Sequence, residues 1–142
     1  MIKKLLKQPI VLIFVFALLL NLVWENAHSL LYVHYQSGEI TQWILIRASI
    51  FDALLITLLV FVFLNVAFLK IRLWLSFVFG IIAAVFIEWY ALGTGRWAYN
   101  ELMPIIPLLK TGLTPTIQLG FLAYLILYFT AKFYRKSPVI IH

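Results

Sequence analysis

The chain has no cysteine, only 5 acidic residues in 142, and charged residues make up just 11% of it. Each shortage removes a class of function. Without cysteine there is no disulfide, no thiolate nucleophile and no thiolate metal site. With 65% hydrophobic residues and a mean hydropathy of +1.05, the composition lies far from that of soluble domains, which are about half apolar. Signature loops are missing as well. Neither a G-x-S-x-G nucleophile elbow nor a Walker phosphate loop occurs, which argues against a serine hydrolase or a P-loop nucleotide enzyme.

What the sequence holds instead is a series of long apolar runs. A span of the hydrocarbon layer takes about 20 residues, and four such segments fit, at roughly Gln8 to Leu31, Trp43 to Phe68, Ile71 to Leu92 and Leu113 to Phe133. Runs such as "ALLITLLVFVFL" do not alternate as barrel strands would. The expectation is an all-α polytopic membrane bundle of four transmembrane helices, a single domain over residues 1–142. "MIKKLLK" resembles the start of a signal peptide, but the apolar stretch after it is long for one and no small-x-small cleavage site follows, so it is read as the first span.

The net charge of +6 is a matter of topology. Lys3, Lys4 and Lys7 precede the first span, Lys70 and Arg72 join the second and third, and Lys132, Arg135 and Lys136 follow the fourth. The other side holds Arg96 and Lys110, with Arg47 near the start of the second span. The positive-inside rule then places both termini in the cytoplasm, with the chain in the plasma (inner) membrane. Membrane lipid, and no nucleic acid, is the partner this charge pattern suggests.

The acids have the opposite bias. Glu25, Glu39, Asp52, Glu88 and Glu101 all fall in the outer half of that topology or beyond it. At 1.5 Å rise per residue, Glu25, Glu88 and Asp52 sit roughly 5, 8 and 13 Å below the outer surface. A charge at membrane depth costs about 2.5–3.5 kcal/mol on insertion scales, so such groups face inward and have partners. Asn21, Glu25, His28 and Tyr32 are spaced to form one polar stripe on the first span. Ser49 lies one turn from Asp52, and Gln118 is near the outer end of the fourth span. Ser76, Gly80, Ala84 and Glu88 form a small-residue seam leading to a carboxylate. Between the last two spans, the apolar segment "GTGRWAYNELMPIIPLLKTGLT" is expected to lie in the interface and cover this polar layer, with prolines in "MPIIPLL" preventing a regular helix. Arg96 is the obvious cation to neutralise Glu88 or Glu25, the equal alternative being an arginine that merely faces the lipid headgroups.

Several chemistries compete for these residues. Glu25 and His28 form the Glu-x-x-His spacing of carboxylate-bridged metal bundles, but such bundles use two copies and this chain has one. His34 and His142 lie outside the polar layer, so neither a metal nor a haem, nor any other cofactor, is expected. A transport path is disfavoured because the inner halves of the spans are almost purely apolar, Asn65 and Ser76 excepted. The favoured expectation is an outer-leaflet pocket for an apolar or amphiphilic lipid, with Glu88, Glu25 and Asp52 as acid/base candidates and Asn21, Trp24, His28, Tyr32, Arg96, Trp97, Tyr99 and Gln118 as ligand-binding ones. Carboxyls gathered out of water hold protons more readily, as acid/base work on a hydrocarbon double bond requires. The alternative is a non-catalytic scaffold, assembly factor or transporter subunit whose polar stripe pairs with a membrane-protein partner or a second copy.

A resemblance bears on the ligand. "EWYALGTGRWAY", with Glu88, Ala91, Gly95 and Trp97, resembles the acid-x-x-A-x-x-x-G-x-W segment of membrane-embedded lycopene cyclases, and "GLTPTIQLGF" resembles their later Pro-initiated helix. A related pattern occurs in carotenoid hydratase-like membrane proteins. The acid pair that follows the proline in the cyclases is absent here, where Pro115 precedes Thr116, Ile117 and Gln118. The whole pattern, "WEN", "LLY", "GRWAYNELMP" and "GLTPTIQ", is similar to a group of small, uncharacterised bacterial four-helix integral membrane proteins. The resemblance implies an isoprenoid ligand and gives Glu88 the motif-acid position.

Overall fold

The computed structural model describes residues 2–136, with side chains described from 10 to 133. The side chains of Lys3, Lys4, Lys7, Arg135 and Lys136, and all of His142, lie outside the described residues. Among the described residues, α1 (Ile2–His28), α2 (Gln42–Asn65), α4 (Leu75–Gly93) and α5 (Leu113–Lys136) are the long helices, with a short α3 (Ala67–Lys70) after α2. Within them, four stretches are long and apolar enough to cross a membrane. The chain is thus an all-α multi-pass bundle. The turn between the second and third spans differs from the sequence expectation. Val66 leaves the helical conformation, at φ −92° and ψ 116°, so α2 stops at Asn65, α3 forms a separate turn and α4 begins only at Leu75.

Each helix buries one stripe and shows apolar side chains elsewhere, the pattern of a helix with lipid on its outer faces. On α2 the stripe is Leu45, Ser49, Ala53, Ile56, Val60 and Phe63, while Leu54 and Leu58 are exposed. On α1 it passes from Ile13 and Ala17 to Asn21, Glu25 and His28. The most buried of the spans is α5, half of whose spanning window is inside. It packs against α1, α2 and α4, whereas α1 lies chiefly on α2, and α4 chiefly on α5. The α4–α5 approach is backbone to backbone. A Cβ at Gly80 would collide with Leu119 and Gly120, and one at Gly120 with the Phe77 carbonyl. The small-residue seam of Ser76, Gly80 and Ala84 is therefore a packing seam, and it fixes the height of Glu88.

By contrast α2 and α4 touch little, and a gap opens between them toward one end. That end is closed by loops with strand structure the sequence reading did not anticipate. β1 (Tyr32–Tyr35) pairs antiparallel with β2 (Trp97–Tyr99), Tyr32 opposite Tyr99 and Tyr35 opposite Trp97. A second small hairpin joins β3 (Ile105–Ile106) to β4 (Thr111–Gly112). "YVHY" and "WAY" are aromatic and β-branched, as strands prefer. The β1 chain reverses at Gln36 and Ser37, both with positive φ (48° and 63°), with Tyr35 and Gly38 bonded to each other through both backbone groups. This is the left-handed pair of a tight hairpin turn, and it presents the Gln36 N–H to the Arg96 carbonyl at 2.6 Å.

Candidate functional site

The polar layer is one connected network at the loop-capped end of the bundle. Gln118 on α5 is its hub. Its Nε2 lies 2.9 Å from Asn21 Oδ1 on α1, 2.7 Å from Glu25 Oε1 on α1 and 3.0 Å from Asp52 Oδ2 on α2. An amide nitrogen has two hydrogens to give, so the third acceptor is reached only through a shared one. Asn21 is held from below, its Nδ2 donating to the Ala17 carbonyl at 2.7 Å. The other carboxylate oxygen of Glu25 faces His28 Nε2 at 3.2 Å, one turn along α1, and His28 Nδ1 meets Thr114 Oγ1 at 3.2 Å. One helix face and one amide thus tie three helices together.

Glu88, on α4, belongs to a second cluster against the loops. Trp97 Nε1 donates to Glu88 Oε2 at 3.2 Å, and the Tyr99 hydroxyl donates to the same oxygen. Both donors stand on β2, which β1 holds in place. Asn100 fastens the far end of β2 by donating its backbone N–H to the Leu31 carbonyl and its side-chain amide to the Leu30 carbonyl. Tyr32 joins the two clusters, its ring edge-on to His28 at 5.3 Å and inclined to Tyr99 at 5.4 Å. Burial pushes the Tyr99 phenol above its ordinary range, and its bond to Glu88 adds to the effect. Burial and the neighbouring Glu88 charge do the same to Tyr32. Both phenols stay protonated donors through the physiological range.

Between α2 and α4 lies a pocket of about 570 Å³. Glu25, Asp52, Glu88, His28 and Gln118 line it, with Tyr32, Trp97 and Arg96 toward the loops. The three acid/base candidates, from three different helices, therefore share one cavity. Apolar walls complete it, Ile44 and Ala48 from α2 and Ala84 and Ile87 from α4. A cavity of that size with a few convergent polar groups is typical of a small-molecule site.

Not every expected residue lines this pocket. Asn21 lies behind it and acts through Gln118, and Tyr99 reaches it through Glu88. Trp24 stands apart, with its ring 6.1 Å from Phe121 and its buried Nε1 without a hydrogen-bond partner among the described residues. Arg96 neutralises neither Glu88 nor Glu25. The Glu25 carboxylate meets His28 instead, and the Arg96 guanidinium sits 5.6 Å from the Tyr90 ring centre. "MPIIPLL" contributes nothing to the pocket lining. It forms the side hairpin, anchored by Trp89 Nε1 to the Leu109 carbonyl, with Leu102 and Leu108 exposed. The roof over the polar layer is made by β1, β2 and Arg96.

Other residues enter the site without having been expected. His34 and Tyr35 reach the pocket through β1, and Arg47 and Phe51 through α2. Arg47 and Asp52 were both visible as charges near one helix end, a signal that could have placed Arg47 at the pocket. Thr114 carries no such signal. Among the described residues, no three of His, Asp and Glu are grouped as metal ligands. Comparison with protein-family models, with characterised proteins and with solved structures finds no match for this chain.

Proposed function

We propose that this pocket receives a lipid with a hydrocarbon chain, an isoprenoid being the favoured class, from the outer leaflet of the plasma (inner) membrane, with both termini cytoplasmic. The observation that carries the reading is the convergence of Glu25, Asp52 and Glu88 on one cavity with apolar walls, beside the gap between α2 and α4. The isoprenoid class is proposed on the sequence pattern of residues 88–99 alone, which resembles a segment of carotenoid-processing enzymes but lacks the acid pair that follows Pro115 there. The orientation rests on the positive residues, of which Lys70, Arg72 and Lys132 stand at the end away from the polar layer. Since the chain has no cysteine, single cysteines at Ser37 and Lys70 give a clean test. An impermeant maleimide is expected to label Ser37→Cys, and not Lys70→Cys, in intact cells.

As an enzyme the site would add a proton to one carbon of a double bond and remove one from a neighbouring carbon, a redox-neutral change. Glu88 with Glu25 or Asp52 would exchange those protons, and the shortage of hydrogens at Gln118 leaves a place for one between the latter two. The closed bonding around Gln118 favours a second reading, a non-catalytic scaffold or assembly factor whose acids serve to join helices. Mass spectrometry of lipids retained in mild detergent separates the two. A specific lipid near one per chain, lost in Glu88→Gln or Glu25→Gln, is the expected result. Bulk phospholipid alone in all three samples would move the weight to the scaffold.

A further inference from the structure

The gap between α2 and α4 has the same layout on both of its walls. On α2, Ala48 and Asp52 form one column at i, i+4 spacing and Arg47 and Phe51 form the next, with all four in the pocket lining. Asp52 is partly buried, while Arg47 and Phe51 are exposed. On α4, Ala84 and Glu88 form the inner column and Phe86 and Tyr90 the outer one, again all in the lining. Phe51, Phe86 and Tyr90 are 52%, 63% and 61% exposed although they border a cavity. They are the two jambs of an opening that faces sideways, toward lipid.

Both jambs carry a cation at the same end. Arg47 is one turn above Phe51, and Arg96 follows the end of α4 beyond Tyr90. Neither makes a salt bridge or hydrogen bond through its guanidinium among the described residues, although three carboxyls line the same cavity. Those carboxyls are served by an amide, an imidazole, an indole and a phenol. Asp52 lies five residues further into α2 than Arg47, about 7.5 Å along the axis. The main chain of Arg96 is fixed from both sides, its N–H donating to the Ala91 carbonyl at 2.8 Å and its carbonyl accepting from Gln36 at 2.6 Å. The strained turn at Gln36 and Ser37 thus serves to hold a cation over the opening.

We propose that Arg47 and Arg96 form a headgroup site for a lipid phosphate whose hydrocarbon tail leaves or enters through the Phe51–Phe86 opening. Two guanidinium forks match the several oxygens and the charge of a phosphate better than the single plane of a carboxylate. The site rests on the lipid-pocket reading and gives that reading its substrate class, an amphiphile with a phosphate at the membrane surface and its chain beside the acids. Free phosphate presents the same oxygens, but only a lipid also uses the apolar opening beneath them, so free phosphate is expected to bind too weakly to compete at millimolar concentration.

The test is equilibrium binding of farnesyl phosphate, farnesol, farnesoic acid and inorganic phosphate to the full chain in a neutral detergent, with Arg47→Gln, Arg96→Gln and, as a control for overall charge, Lys132→Gln. Farnesyl phosphate is expected to bind at least about tenfold more tightly than farnesol, and either arginine variant to lose about tenfold for the phosphate alone. Lys132→Gln should change neither, and millimolar inorganic phosphate should not compete. Ala48→Trp, which fills the gap, should weaken farnesol and farnesyl phosphate together. Equal binding of farnesol and farnesyl phosphate, or an advantage that survives in both arginine variants, would overturn the headgroup site while leaving the lipid pocket standing. Farnesoic acid binding as well as the phosphate would overturn the choice of phosphate, and competition by inorganic phosphate would overturn the lipid as its source. If neither farnesol nor farnesyl phosphate binds, the lipid-pocket reading itself fails.

Discussion

Both ends of the bundle have polar side chains that bond back to their own helix, but at only one of them do polar side chains also bond across helices. Toward the α2–α3 turn, Thr57, Asn65 and Thr130 each bond to a carbonyl of their own helix four residues back, and Ser76 bonds to the Leu73 carbonyl just before α4. Toward the loop-capped end, Asn21, Glu25, His28, Asp52 and Gln118 bond across helices. A hydroxyl or amide that returns to its own helix needs no partner and imposes no geometry on a neighbour. One that bonds across helices requires a particular register and height. The first end is therefore held by shape, and the second is specified by chemistry.

The largest effect is expected at the glycine crossing, which lies between the two ends, Gly120 being two residues from Gln118. Gly80→Val should drive α4 from α5, costing at least about 1–3 kcal/mol by overpacking and reducing the yield of folded, monodisperse protein, with Gly120→Val doing the same. The second end should respond to Gln118→Leu, which leaves Asn21, Glu25 and Asp52 without their shared donor. A loss of about 1–3 kcal/mol is expected, seen as a lower midpoint in thermal melts, together with loss of any retained lipid.

Alkaline pH should act on the second end through Tyr99. The Tyr99 phenol is raised from its unfolded value of 10.0, so the folded state keeps a proton that the unfolded state gives up. Its stabilising contribution is whole below pH 10 and declines as pH rises toward the folded value. Melting midpoints should fall more steeply with pH above 10 in the wild type than in Tyr99→Phe. The smallest effects belong to Thr57→Val and Thr130→Val, expected within about 0.5 kcal/mol because each hydroxyl bonds only to its own helix. A large loss at either would erase the contrast between the ends.

Much of the bundle was legible from residue order. Spans of about 20 residues follow from hydrocarbon thickness, and Asn21, Glu25 and His28 form the stripe that helical period predicts, whereas Tyr32, expected on the same stripe, lies beyond the end of α1 in β1. The exceptions are local. "YVHY" gives no strand signal of its own because four residues between two spans read as a loop, and β1 exists only because β2, more than 60 residues further along the chain, pairs with it. Charge alone leaves Arg96 two roles, a partner for Glu88 or Glu25 or a residue facing the headgroups, and the first is excluded because Trp97 and Tyr99 on the same loop reach Glu88 and His28 and Gln118 reach Glu25.

By itself the sequence determined that the chain crosses a membrane, about where it does so, and that its acids gather toward one end, because hydropathy and helical period are properties of neighbouring residues. Only the tertiary structure decided that Gln118 joins three helices, that the acids share one cavity, that this cavity lies where α2 and α4 make little contact and that Arg47 and Arg96 both line it. Those facts depend on which helices become neighbours. That is set by close contacts such as Gly80 against Gly120, where the absence of a side chain is what allows one pair of helices to meet while another stays apart.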